Sequence, residues 1–269
     1  MITKTGIKVF SLFLILGILI SLVSCETGNG PEPEPEPVPL NVEIIRGSME
    51  DIDGNVYETV IIGGQEWMAE NLKTSRYRNE SAIEYIGGDN DEWITNTTGA
   101  YSWYHNLESN KDVYGAVYNW YAVNNPAGLC PDGWRVPSNL DWTELEEYLM
   151  AAYNLSNSRG NPGALGNRLK SCRQVRSPMG VGCATSVFPR WHNHDDHYGF
   201  DDFGFAALPI GSRRSDGSYI ANPGFFGNWW SRDADGEVNA FNRYLTYDNG
   251  QIFSGSTQKI NGYAVRCVR

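Results

Sequence analysis

Three of the four histidines fall within six residues, in the run Trp191-His192-Asn193-His194-Asp195-Asp196-His197. Imidazole and carboxylate groups bind transition metals, so His194 and His197 with Asp195 are candidate ligands. Asp201 follows and would offer an oxygen of the kind that calcium prefers. Ligand spacing on a loop constrains geometry only weakly, however. We therefore favour a solvated loop and expect neither a metal nor another cofactor. If an ion were bound, the acidic residues would suit calcium.

A second candidate site is aromatic and consists of Trp229 and Trp230, beside Arg232 and Asp233. Neighbouring residues of a strand point to opposite faces, so one indole would face the core and the other solvent. An exposed indole beside these charges would suit stacking on a sugar or a peptide, and Trp191 is a third candidate. Burial of both indoles is the favoured interpretation, because large aromatic residues build cores more often than binding faces.

Motifs for covalent or phosphate chemistry are absent from the sequence: there is no nucleophile elbow, phosphate-binding loop, dinucleotide fingerprint or paired-histidine zinc motif. Acid pairs for glycoside hydrolysis are available, but any acidic chain supplies them, and only their separation in space is informative. We therefore expect no enzyme and keep hydrolysis as an alternative. The candidate acids are Asp201, Asp202, Asp233, Asp235 and Glu237.

The first 24 residues have the pattern of an export signal. Lys4 and Lys8 precede a mostly apolar run, 9–23, which has signal-peptide length and is short for a membrane span. The run ends at Ser24-Cys25, and small residues before a cysteine at this place resemble the lipobox of bacterial lipoproteins. The resemblance implies cleavage before Cys25 and acyl chains on it, which anchor a protein at about 0.8 kcal/mol per buried methylene.

Residues 25–40 are expected to form the lipidated cysteine and an extended tether. Proline alternates with glutamate from Pro31 to Pro37, which favours polyproline II and self-repulsion. An acidic stretch here resembles surface-export signals of Bacteroidota lipoproteins. Without the two signal lysines the chain has 19 basic and 32 acidic residues, a formal charge of −13. Such a protein is a poor partner for nucleic acid.

Four cysteines remain in the exported part, and an even number indicates two disulfides with three possible pairings. We favour Cys130–Cys267, which would tie the middle of the chain to its last strand, and Cys172–Cys183, which would close a small loop. Loop-closure entropy gives about 5 and 3 kcal/mol respectively. Free buried thiols are the alternative, and no cysteine pair has zinc-ligand spacing.

Hydrophobic patterning predicts an α+β domain over 41–269. A turn at 51–55 precedes a hairpin over 52–70. The best helix runs from Ser138 to Ala152, with Ser138 as N-cap and Asp141 in the first turn; a short one follows at 164–169. Turn-separated strands are predicted at 203–208, 225–230, 240–247, 251–253 and 262–268.

Aromatic residues are dense between 99 and 123. Such a set can form a sugar-stacking face, but it forms a core more often. The residues are Tyr101, Trp103, Tyr104, Tyr114, Tyr118, Trp120 and Tyr121.

Several blocks in order resemble the Fibrobacter succinogenes major paralogous domain family over about 45–269. They are Asp53-Gly54-Asn55, Gln65 to Leu72, Gly115 to Trp120, Cys130 to Pro137, Phe205 to Pro209 and Gly262 to Val268. The segment from Ser171 to Cys183, with Pro189-Arg190-Trp191, resembles an insertion in many members and supports the 172–183 pairing. The resemblance implies architecture rather than an activity.

The Trp134-Arg135-Val136-Pro137 block and the chain end also resemble C-type-lectin-like and formylglycine-generating-enzyme-like domains. The resemblance implies one or two helices, a mainly antiparallel twisted sheet, paired chain ends and a long disulfide to the last strand, which Cys130 and Cys267 fit. The tripeptides with which calcium-dependent lectins hold sugars are absent, so no calcium-chelated sugar is implied.

Together these patterns predict a lipoprotein on the bacterial outer membrane, exposed at the surface and displaying a non-catalytic binding or adhesion module. Its partners would be the membrane, through the lipid anchor, and a glycan or protein surface, but no nucleic acid. A polysaccharide-acting hydrolase and a structural subunit of an envelope assembly are the alternatives.

Overall fold

The computed structural model describes Met1 and residues 37–174, 183, 186–220 and 224–269. The predicted signal peptide 1–24, the lipidation site Cys25 and most of the predicted tether lie outside the described residues. Within the described part, no helix is long and apolar enough to cross a membrane. All of the elements below belong to one compact unit, Glu36–Arg269.

The first sheet is the predicted hairpin with one further strand before it. The Asp51 carboxylate accepts hydrogen bonds from the backbone N–H groups of Asp53 (2.9 Å) and Asn55 (3.0 Å), which fixes the turn. The end of the chain pairs with the last strand of this sheet, where the Met68 N–H donates to the Cys267 carbonyl (3.0 Å). The antiparallel strands are β1 (Ile45–Glu50), β2 (Val56–Ile62) and β3 (Gln65–Met68).

A second small sheet carries the aromatic run. Its central strand pairs parallel with one neighbour and antiparallel with the other. Six of the seven aromatic residues between 101 and 121 are buried, which confirms that this run is core. The elements are β4 (Glu84–Tyr85), α1 (Asn90–Thr95), β5 (Ala100–Trp103), α2 (Lys111–Tyr114), β6 (Ala116–Tyr118) and α3 (Trp120–Val123).

The long predicted helix is confirmed as α4 (Asn139–Tyr153). Ser138 and Asp141 form a reciprocal capping box, with the Ser138 Oγ accepting from the Asp141 N–H at 3.0 Å. Arg135 anchors the same carboxylate at 2.5 Å. The second predicted helix is α5 (Leu165–Leu169).

The third sheet, which forms most of the second half, is an antiparallel meander. It comprises β7 (Phe226–Asp235), β8 (Asn239–Thr246) and β9 (Phe253–Gln258), with a bulge in β7 between Trp230 and Ala234. The strand predicted at 203–208 is wrong, because this segment makes only an isolated bridge, from Ala207 to Lys170. Residues 262–268 also pair through isolated bridges rather than as one continuous strand.

Two disulfides are present, Cys130–Cys267 and Cys172–Cys183, as favoured from the sequence. The α+β class with few helices and mainly antiparallel sheets is likewise confirmed. The paired chain end and the long disulfide are consistent with a C-type-lectin-like arrangement.

A buried arginine ties the end of the chain to the middle of the domain. Arg266 is fully buried and its guanidinium donates to the carbonyls of Phe205 and Ala206 and to Asn71 Oδ1. Its planar cation also lies 4.5 Å from the Phe205 ring centroid. The carbonyls of Phe205 and Ala206, which lie in an irregular segment, thus have hydrogen-bond donors inside the domain.

Candidate ligand-binding cleft

The three tryptophans predicted as ligand-stacking residues are core residues, so an exposed indole at these positions is a wrong expectation. Trp191, Trp229 and Trp230 are 1%, 1% and 0% exposed. Each indole N–H is already used: Trp191 donates to the Ala207 carbonyl, Trp229 to Asn71 Oδ1 and Trp230 to the Tyr118 carbonyl, at 2.8–3.1 Å. Both members of the Trp229-Trp230 pair are therefore buried, in agreement with the favoured interpretation.

Arg232 and Asp233 lie within the bulge of β7, beside the start of α4. Asp233 Oδ2 accepts a hydrogen bond from the Asn139 N–H at 2.6 Å, and the Arg232 backbone N–H donates to the Pro137 carbonyl at 2.9 Å. A carboxylate at a helix N-terminus satisfies an otherwise unpaired donor and complements the helix dipole. These residues fasten β7 to α4.

The histidine-rich loop is held by its own hydrogen bonds. His194 Nδ1 accepts from the N–H groups of Asp196 and His197, both at 3.1 Å. His197 is buried, its Nδ1 lies 3.2 Å from Asn167 Nδ2, and burial lowers its pKa to about 4. Among the residues described, no three His, Cys, Asp or Glu side chains are grouped so as to hold a metal ion.

The candidate catalytic acids are distributed over separate structural contacts. Asp201 accepts from the Ala206 N–H at 2.7 Å, and burial raises its pKa to about 7. Asp202 forms a buried ion pair with Arg168 at 2.7 Å. Asp235 accepts from Ser256 Oγ at 2.5 Å.

The meander has two chemically different faces, which its register defines. Directly paired residues of antiparallel strands point to the same side. On one side, Trp229 and Leu245 join the main core and Arg243 reaches Glu146 of α4 at 2.7 Å. The pairs Asn228–Tyr244, Asn242–Gly255 and Tyr244–Phe253 place their side chains on the other side. Trp230, which pairs with Asn242, also lies on that side and is buried in a second core cluster.

That other side is the floor of a cleft of about 340 Å³, which lies within the range of small-molecule sites. The described lining residues carry amides, hydroxyls and aromatic rings, and none has a carboxylate, imidazole, thiol, ammonium or guanidinium group. They are Ser212, Ile220, Phe226, Asn228, Asn242, Tyr244, Gly255, Ser256, Thr257 and Tyr263. Residues 221–223, next to Ile220, lie outside the described part.

Two asparagine amides in the cleft retain hydrogen-bonding capacity although little of either residue is exposed. Asn242 is 3% exposed, and its side chain hydrogen-bonds to no described residue. Asn228 is 8% exposed; its Nδ2 donates to the Gly211 carbonyl at 3.3 Å, and its Oδ1 accepts from no described group. No side-chain atom of either asparagine is among the fully buried unpaired atoms of the described part, so the free amide groups open into the cleft, where a ligand or water can bind them.

Aromatic side chains give the cleft a rigid surface. The Tyr244 ring stacks on Phe253 with centroids 4.7 Å apart and planes 8° from parallel. Tyr263 packs on Trp230 at 4.6 Å, so the buried indole supports the cleft from beneath. Gly255 leaves space here: a Cβ would lie 2.9 Å from Asn242 Oδ1 and 3.3 Å from Tyr244 Cε1. The cleft thus combines a supported ring with unpaired amides.

A second polar cavity, of about 290 Å³, lies between the first two sheets and the 206–208 segment. Its lining contains cations and anions, and Lys73 is already paired with Asp112 at 3.1 Å. Its described lining carries three cations and three anions and so has no net charge, whereas the meander cleft presents amides without a protein partner and is the stronger candidate.

The protein is thus a disulfide-linked α+β domain with a small polar cleft on an antiparallel meander. Residues 60–269 match the Fibrobacter succinogenes major domain, and the chain belongs to that family. The match starts within β2, so β1 and the first turn precede it although they complete the same sheet. Comparisons with curated proteins and with solved structures found no match.

Proposed function

We propose that this protein is a lipid-anchored module of the bacterial outer membrane that binds a surface ligand in the meander cleft, without catalysis. Support for the anchor comes from the lipobox-like Ser24-Cys25 and from the acidic, proline-rich segment after it. Such a segment extends at about 3 Å per residue and would hold the domain away from the lipid.

The observation that carries the binding role is the pair of little-exposed amides, Asn228 and Asn242, beside the stacked Tyr244 ring. Ligand sites combine apolar surface with a few placed polar groups. The described lining lacks the paired carboxylates that glycoside hydrolysis needs, which favours binding over the hydrolase alternative.

Retention on immobilised glycans and proteins tests this role. The mature chain with Cys25→Ser, which removes the lipid site, is passed over a panel of insoluble polysaccharides and surface proteins. We expect retention by at least one ligand and loss of retention with Tyr244→Ala. Tyr85→Ala is the matched control, because Tyr85 is 44% exposed and packs on Tyr101 in the second sheet. Equal retention of the two variants would contradict the assignment of the site.

Anchoring is tested separately on cells. With the wild-type chain we expect the protein in the membrane fraction and sensitive to protease added to intact cells. Mass spectrometry of the N-terminal peptide from the membrane fraction should then show a chain that begins at Cys25 and carries acyl groups. An unmodified Cys25, or a mature N-terminus at another residue, would overturn the anchor.

A further inference from the structure

The cleft chemistry also specifies a ligand class, an inference that rests on the proposed binding function. None of the lining residues described above carries a full charge at neutral pH. Among the residues that the structure describes, Asp235 is the one acid that contacts this lining by a hydrogen bond, through Ser256 at the rim. An anionic ligand would find no cation in the described lining and would approach a mature chain of formal charge −13. A cationic ligand would have only the Asp235 carboxylate, at the rim of the described lining, as a partner of opposite charge.

Divalent-cation bridging does not suit the cleft either. Calcium takes six to eight oxygen ligands, and carboxylates dominate its protein sites. The described cleft offers amide and hydroxyl oxygens instead, so a ligand must be held by direct hydrogen bonds and by ring stacking.

The two amides are complementary to hydroxyl groups, since each asparagine presents both donors and acceptors and a hydroxyl can do both. Asn228 is paired with Tyr244, and Asn242 is two residues before Tyr244 on β8. The two asparagines are thus diagonal cross-strand neighbours, a relation that places Cα atoms about 7 Å apart. A sugar ring combines hydroxyl groups with an apolar face, which suits two amides that both neighbour the Tyr244 ring.

We infer that the ligand is a neutral glycan, bound without a divalent cation, with one sugar ring against Tyr244 and its hydroxyls on Asn228 and Asn242. Gly255 is part of this assignment because any side chain there would enter the space beside both Asn242 and Tyr244.

Affinity electrophoresis of the mature Cys25→Ser chain tests the inference. The gels contain neutral polysaccharides (β-glucan, xylan, galactomannan) or acidic ones (polygalacturonate, a sulfated glycan), each with calcium and with EDTA. We expect retardation by a neutral polymer, equal in calcium and in EDTA, and none by the acidic polymers. Asn242→Ala should weaken binding about tenfold, the effect of one good hydrogen bond, and Gly255→Val should abolish it.

Tyr244→Phe should retain binding within about twofold, because it keeps the ring, and the thermal midpoint of each variant verifies that it is folded. Retardation that requires calcium, or that occurs only with acidic polymers, would overturn the neutral, cation-free assignment while a binding module remained. Binding to a surface protein but to no glycan would overturn it in the same way. Binding to no member of either panel would overturn the proposed function itself.

Discussion

Removal of the Cys130–Cys267 disulfide tests how the end of the chain is held in the domain. Both residues are buried, at 1% and 0% exposure, and 137 positions separate them in sequence. The double variant Cys130→Ala, Cys267→Ala removes the crosslink without leaving a free thiol. The chain end would then be held by its backbone pairing to Met68 and by the Arg266 contacts.

The magnitude follows from loop closure. A loop of this length gives about 5 kcal/mol of stabilisation, whereas the 11-residue separation of Cys172 and Cys183 gives about 3 kcal/mol. Domains of this kind are stable by about 5–15 kcal/mol in total. The long crosslink thus accounts for a large share of the stability, and its loss should cost more than loss of the short one.

Urea unfolding followed by tryptophan fluorescence measures both double variants against the wild type, since nine tryptophans report on the core. With a denaturant dependence of about 2–3 kcal/mol per molar, the long-crosslink variant should lose about 2 M in midpoint. Equal losses for the two double variants, or a loss below about 1 kcal/mol for the long one, would refute the loop-entropy reasoning.

Two further variants probe buried charges. Burial lowers the pKa of Lys170 to about 7, so between that pH and about 10.5 the unfolded chain binds one more proton than the folded protein. The free energy of unfolding should therefore rise by up to about 3 kcal/mol from pH 7 to about 9.5. Urea unfolding at several pH values should show this rise in the wild type and a flatter profile in Lys170→Met. Asp202→Asn leaves Arg168 without its carboxylate and should cost about 3–5 kcal/mol. It should also speed hydrogen exchange of the Leu40 amide, which donates to Asp202; unchanged protection there would argue against this contact holding the start of the domain.

Local sequence signals predicted the elements whose structure depends on neighbours in sequence. The Ser138–Asp141 capping box marked the start of α4, and the Asp51–Asn55 turn marked the hairpin. These two features need little tertiary information, because a cap or a turn is satisfied within a few residues. The disulfides were favoured on different grounds, the even number of cysteines after Cys25 and, for Cys172–Cys183, the family resemblance.

Elements that depend on long-range contacts were predicted less well. The 203–208 segment has strand-like composition, but Asp201 and Ala206 adopt positive φ values of 53° and 51°. Hydrogen bonds from the buried Arg266 hold the carbonyls of this segment in place. A distant arginine therefore overrides local β propensity, which no window of the sequence reveals.

The proposed cleft differs from the tryptophan pair that stands out in the sequence. Trp229 and Trp230 are buried, whereas Asn242 and Gly255 share the cleft only because of the β7–β8–β9 register. Alternation along 242–246 was a weak signal for a polar face. How much of each face is covered depends on the packing of Trp229 and Leu245 on one side and of Trp230 on the other, which appears only in three dimensions.

A two-dimensional amide NMR titration of the mature Cys25→Ser chain with a neutral oligosaccharide in EDTA tests most directly whether the meander cleft binds a glycan. We expect the largest, saturable shifts in β7, β8 and β9 around Asn228, Asn242 and Tyr244, with none in the second sheet around Tyr85. Shifts centred outside the meander would contradict the cleft as the binding site, and so would the same β7–β9 shifts in a Tyr244→Ala chain.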